Sequence, residues 1–109
     1  LYSYGVRPGR FSANRWVELC CTRPARMFGL KRKGQIAVGY DADLVIFDPE
    51  KKVSLSTETL HEQVDWTPYA GLEVTGWPVA TLSRGQVLVD HGQFFGEAGQ
   101  GKFVERRLS

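Results

Sequence analysis

Asp43-Leu44-Val45-Ile46-Phe47-Asp48-Pro49 is the stretch on which the reading of this chain turns. Four apolar side chains in a row, Leu44 to Phe47, would face both sides of an extended backbone, so the run predicts a strand buried on both faces. Pro49 has no N–H to give a continuing ladder and is expected to end it. Downstream, Val53 and Leu55 alternate with Lys52 and Ser54, which predicts a second, half-exposed strand. Upstream, Gly34 and Gly39 bracket Ile36 and Val38, which alternate with Gln35 and Ala37.

Further along, residues 56–67 are polar and carry no clear period. Thr67-Pro68-Tyr69 predicts one helical turn closed by Gly71. A second β block opens at Glu73. Val74, Trp77, Val79, Ala80 and Leu82 mark a strand, with Pro78 implying an edge or a bulge. Ser83-Arg84-Gly85-Gln86 is a tight hairpin signal, and Val87, Leu88 and Val89 form the returning strand. Asp90-His91-Gly92 predicts another turn, ahead of Phe94 and Phe95. The glycine-rich tail is expected to be extended and loosely held. The likeliest buried set is Leu44, Ile46, Val79, Leu82, Val87 and Val89.

The first thirty residues have a different texture. Residues 1–4 read as the end of a helix broken by Gly5, Pro8 and Gly9. Ser12 offers an N-cap to a helix from Ala13 to Cys21, whose apolar face holds Trp16, Val17, Leu19, Cys20 and Cys21. Pro24 suits the first turn of a second short helix ending at Phe28, with Gly29 as its stop. The organisation is α+β: a small helical block over 1–33, then a small β-rich block over 34–95, joined near Lys31 to Gly34, and an extended tail over 96–109.

Composition narrows the function classes. The chain has 109 residues, 42% hydrophobic and 24% charged, the balance of an ordinary soluble domain or part of one. Collagen, long disorder and a disulfide scaffold are excluded. The apolar runs are far too short to span a bilayer, so no membrane partner is expected. The start at Leu1, without Met or an apolar leader, reads as a cut. Cys20 and Cys21 are neighbours that would strain a mutual disulfide, and read as reduced thiols of a cytoplasmic protein.

Charge is divided along the chain. Residues 1–33 carry eight bases against Glu18 alone, a net of +7, while residues 34–98 carry three bases against ten acids, a net of −7. The bases are spread over helix, turn and loop with few aromatics among them, which argues against nucleic acid. They are suited instead to acidic protein surface.

Candidates for chemistry are few. Asp41 and Asp43 could be paired carboxylates, but they read better as turn-forming acids that bond nearby backbone N–H groups. His61 and His91 are thirty residues apart and belong to no ligand motif. Trp16, Trp66 and Trp77 read as core or interface, and Tyr40 as surface. No nucleophile elbow, phosphate loop or metal-ligand spacing occurs. The residues give no catalytic, cofactor-binding or metal site in this chain.

Two strings nevertheless carry a resemblance. Arg23-Pro24-Ala25-Arg26-Met27-Phe28-Gly29-Leu30, followed by Lys33-Gly34-Gln35-Ile36-Ala37-Val38-Gly39-Tyr40-Asp41-Ala42-Asp43-Leu44-Val45-Ile46-Phe47-Asp48-Pro49, resembles the C-terminal part of the cyclic amidohydrolases. Gly71-Leu72-Glu73-Val74-Thr75-Gly76-Trp77-Pro78-Val79, continued by Ser83-Arg84-Gly85, is similar to the hydantoinase and dihydropyrimidinase branch. The resemblance covers nearly the whole chain. It implies a parent enzyme with a metal-bearing (β/α)₈ barrel and a small β-sandwich built from both chain ends. Such enzymes open hydantoin or dihydropyrimidine rings with two divalent metals, commonly zinc, bridged by a carbamylated lysine. The ligands and the catalytic aspartate belong to barrel strands that have no counterpart here, so no functional residue carries over.

By that resemblance, residues 1–30 match the last barrel-side helices and 34–95 the C-terminal share of the sandwich. The implied partners are the rest of the parent, namely its barrel and N-terminal sandwich strands, and further copies in a homo-oligomer. Missing strands would leave an open sheet edge that favours association. A second reading keeps the fold and drops the enzyme: the C-terminal part of a dihydropyrimidinase-related scaffold protein without metal ligands.

Overall fold

In a computed structural model, which describes residues 1–107, the β block forms one four-stranded antiparallel sheet in chain order. Its strands are β1 (Leu44–Ser54), β2 (Glu73–Ser83), β3 (Gln86–Asp90) and β4 (Gln93–Phe94). Two-residue turns link the last three. Ser83 pairs with Gln86 across Arg84 and Gly85, and Asp90 pairs with Gln93 across His91 and Gly92. Both central residues of each turn have positive φ (48° and 81°, then 48° and 83°), the type I′ geometry that matches strand twist. The hairpin expected at 83–86 is therefore found, and a second of the same kind follows it.

Pro49 does not end its strand. β1 runs on to Ser54, and the register with β2 slips between Asp48 and Lys52. Asp48 Oδ1 accepts the Glu50 N–H at 2.9 Å inside this bulge. The bulge lies on an edge strand, where a missing donor leaves no gap in a neighbouring ladder. The alternation over 35–38 forms no strand: Ile36 and Val38 stand in a turn-rich loop, 88% and 104% exposed. The turn at Thr67 is present, with the Ala70 N–H bonded to the Thr67 carbonyl at 3.2 Å.

The two expected helices are one continuous run. It comprises α1 (Ala13–Val17), a π-helical turn (Glu18–Thr22) and α2 (Arg23–Met27). Ser12 caps it as expected, its Oγ accepting the Arg15 N–H at 3.1 Å. The wide turn explains how Pro24 is tolerated in the run. The Arg23 N–H reaches back five residues to the Glu18 carbonyl, one residue is inserted, and Pro24 falls in the first turn of α2. Glu18 braces the wide turn by binding Arg15 at 2.7 Å and Arg23 at 2.9 Å. These two guanidiniums hold its carboxyl below the usual range. A further π-helical turn, Tyr2–Val6, precedes the run.

An aromatic trio joins helices to sheet. The Tyr2, Trp16 and Phe47 rings meet with centroids 4.8 to 5.4 Å apart, in tilted and edge-on arrangements. Polar contacts flank it: the Thr75 N–H donates to Ser3 Oγ at 3.0 Å, and the Tyr4 hydroxyl donates to the Glu73 carbonyl at 3.2 Å.

The core is thin. Ala25 is the one hydrophobic residue among those described that is classed as buried. Of the expected set, Leu44, Val79, Leu82 and Val89 are half-buried, whereas Ile46 (56%) and Val87 (45%) are exposed. The expectation of a strand buried on both faces is therefore not met, since Val45 and Ile46 are both exposed. The accessible surface is 8385 Å², against about 6,100 Å² for a self-contained protein of this mass. The radius of gyration, 15.5 Å, likewise exceeds the roughly 13 Å of a compact domain this long.

Candidate functional site

The densest polar constellation lies where the loop after α2 enters β1. Lys33 Nζ binds Asp41 Oδ2 at 3.0 Å and also binds Asp43 Oδ2. Arg32 takes the other oxygen of Asp41 at 2.8 Å. Asp43 Oδ1 accepts the Arg84 N–H of the β2–β3 turn at 2.9 Å, and the Gly85 N–H donates to the Ala42 carbonyl at the same distance. The expectation that Asp41 and Asp43 bond nearby backbone N–H groups is not met: Asp43 accepts a backbone N–H from forty-one residues away, and the partners of the Asp41 carboxylate are Arg32 and Lys33.

The electrostatics follow from this geometry. The Lys33 ammonium, and then the Arg84 N–H, hold the Asp43 carboxyl below its usual range. Asp43 in turn raises Lys33, and desolvation opposes part of that effect. Asp41 and Asp43 spend their oxygens on Lys33, Arg32 and the turn. The arrangement is a clip that fixes the loop to the hairpin, and it leaves no free base or nucleophile. Lys33, Arg32 and the Arg84 backbone were not singled out in the sequence. The available signal was a basic triplet placed a short, glycine-bounded loop before two acids.

The remaining candidates stay apart. His91 pairs with its neighbour Asp90 at 2.6 Å in an exposed turn. His61 borders an open hollow of about 500 Å³, lined also by Val53, Trp77, Thr81 and Val89. Cys20 and Cys21 are free and exposed on the π-helical turn. Trp66 is exposed, whereas Trp16 and Trp77 are half-buried. Tyr40 borders a cleft of about 180 Å³ beside the end of α2. Among the described residues, no group of three or more His, Cys, Asp or Glu could hold a metal ion. No helix among them is long and apolar enough to cross a membrane.

The amidohydrolase family model matches residues 2–88, and the chain belongs to that family. It is 50% identical over 107 residues to the D-hydantoinase of Geobacillus stearothermophilus, covering 97% of this chain and 23% of that protein. With the D-hydantoinase of Ralstonia pickettii the identity is 46%, over 94% of this chain and 23% of that protein. Solved structures agree. The dihydropyrimidinase of Brevibacillus agri superposes with a TM-score of 0.92 at 46% identity, over 97% of this chain and 23% of that one. The chain therefore spans about a quarter of the length of the relatives it matches.

Proposed function

We propose that this chain is the C-terminal portion of a metal-dependent hydrolase of cyclic amides, acting on hydantoin or dihydropyrimidine rings. In that reaction water adds to a ring carbonyl, the endocyclic C–N bond breaks, and the single ring-opened product carries a carboxylic acid at one end and, at the other, the freed nitrogen with the proton it takes up. The observation that carries the reading is the match to D-hydantoinases over nearly all of this chain and only 23% of theirs. The surface excess supports it. About 2,300 Å² beyond the expectation for a free-standing protein is the scale of an obligate interface.

The metals that such enzymes use do not fit the residues described here. The two aspartates of the clip are committed to cations and a backbone N–H, and the histidines are scattered. The contribution of this chain is then architectural. Its helical residues would form the barrel-side end of the parent, and its sheet would form part of the small sandwich domain. The aromatic trio and the clip would hold the two in fixed relation. Remaining segments of the parent, and further copies in a homo-oligomer, are the partners this reading supplies. A cytoplasmic setting, with Cys20 and Cys21 reduced, belongs to the same reading.

The test is a chimera. The matching segment of the Geobacillus stearothermophilus D-hydantoinase is replaced by residues 1–107 of this chain, and hydantoin opening is followed. Retained turnover supports the reading, and a folded, metal-loaded but inactive chimera overturns it. The isolated chain is expected to show no turnover of hydantoin or dihydrouracil with zinc added.

A further inference from the structure

Cys20 and Cys21 are both free and exposed, and both belong to the π-helical turn Glu18–Thr22. Their peptide bond is trans, so their Cα atoms are about 3.8 Å apart. A disulfide needs roughly 4.4 Å or more between Cα atoms and sets its sulfurs only about 2 Å apart, so a direct bond between these two is strained. A bridging atom relieves that strain. With bonds of about 2.3 Å, the length thiolates keep to zinc, two sulfurs on one pyramidal centre stand roughly 3.3 Å apart. The wide turn helps. Its hydrogen bond to the fifth residue back puts more residues in each turn, so neighbouring side chains diverge by less than the roughly 100° of an α-helix. Its backbone is also fixed from two sides. Glu18 binds Arg15 and Arg23 on one, and the Thr22 hydroxyl donates to the Gly34 carbonyl at 2.9 Å on the other. Gly34 packs so closely on the turn that a Cβ there would stand 2.7 Å from the Cys21 carbonyl oxygen.

We propose that the Cys20–Cys21 pair, held on the wide turn, is a two-sulfur site for a soft trivalent centre, an organic arsenical of the type R–As(OH)₂. Soft thiolates suit soft centres. Zinc suits the pair poorly, because its protein sites take three or four ligands. Among the described residues, no group of three or more His, Cys, Asp or Glu could hold an ion. Trivalent arsenic needs only two sulfurs, since its organic group fills the third position. In the binding step two S–H and two As–O bonds break, two As–S bonds form, and two waters leave. Arsenic stays trivalent, and no oxidant is required. Neither sulfur has a part in the hydrolase reading, so the two proposals stand or fall separately.

Phenylarsonous acid, added to the 109-residue chain with a phosphine reductant, tests this. Intact-mass measurement should show one phenylarsenic per chain with both thiols consumed. The adduct should survive excess glutathione and be stripped by a small dithiol. The helical circular dichroism signal should not change on binding. Cys20→Ser and Cys21→Ser should each weaken binding about a hundredfold, the loss expected when the second bond is no longer intramolecular. Two arsenicals per chain, or single variants that bind as tightly as the unmodified chain, would overturn the bridge. Loss of helical signal on binding, or equally tight binding in urea, would overturn the part given to the wide turn.

Discussion

The ring of Tyr2 lies across Gly76, so close that a Cβ on Gly76 would stand 2.3 Å from it. Gly76 is also the buried residue of β2 and has φ +99°, a region that side-chain-bearing residues avoid. Two independent constraints therefore meet at one position of the sheet. The first comes from the helical block, and the second from the backbone itself.

Gly76→Ala should destabilise the chain by about 2–5 kcal/mol, combining backbone strain with overpacking. Urea unfolding followed by tryptophan fluorescence measures it. In a Tyr2→Ala background the same substitution should cost less, because the backbone strain and the Phe47 ring, 2.9 Å from the added Cβ, then act without the Tyr2 overlap. An equal cost in both backgrounds would show that the Tyr2 ring does not press on the sheet.

The clip sets a pH window. Asp43 has a lowered folded value, so its contribution is present above the unfolded carboxylate range near about pH 4 and is lost as pH falls through the folded value. Lys33 has a raised folded value, so its contribution is present below roughly pH 10 and is lost as pH rises through the folded value. Stability should be level between these limits and fall on both sides. Asp43→Asn should lower it by about 1–2 kcal/mol at neutral pH and flatten the acid limb. A midpoint-against-pH curve that keeps its acid limb in Asp43→Asn would assign that limb to other carboxylates.

Adjacent positions on β1 should behave oppositely. Phe47 is half-buried in the aromatic trio, and its truncation to Ala should cost about 2–3 kcal/mol. Ile46 is 56% exposed, and the same change there should cost less than about 1 kcal/mol in this chain. If Ile46 proved the costlier of the two, the face of β1 that meets the helices would be wrongly assigned.

The uncovered surface should drive association. Sedimentation at low and high salt is expected to show a dimer or larger species that survives moderate salt, since apolar burial is not screened as ion pairs are. The opposed charges contribute less than their totals suggest, because part of them is paired inside one chain, as in Arg7 with Glu50 and Lys33 with Asp41. A monomer at high micromolar concentration would show that the open faces do not suffice.

Much of the sheet could be read directly because its signals are local. Ser83-Arg84-Gly85-Gln86 names its own turn, and Ser12 names its own cap. Pro49 and Pro24 misled for one reason: each removes a donor, but a bulge in β1 and a π-helical turn before α2 absorb the loss without ending the element. The clip was half legible. A backbone-binding role is readable for Asp43 alone, and even there the cationic partner and the distant turn depend on tertiary placement. Burial at Ile46 failed because an apolar run marks side chains suited to cover and does not say what supplies it.

The paired two-residue turns carry a consequence for how the chain folds. β2, β3 and β4 are joined by the shortest possible connections, so their pairing involves little loop closure and should form within microseconds. β1 must close eighteen intervening residues before it meets β2, and the helical run must then find Phe47 and Gly76. Synthesis proceeds in the opposite order. Tyr2 and Trp16 are synthesised well before the sheet they pack against exists. The join between helices and sheet should therefore be the last part of this chain to form.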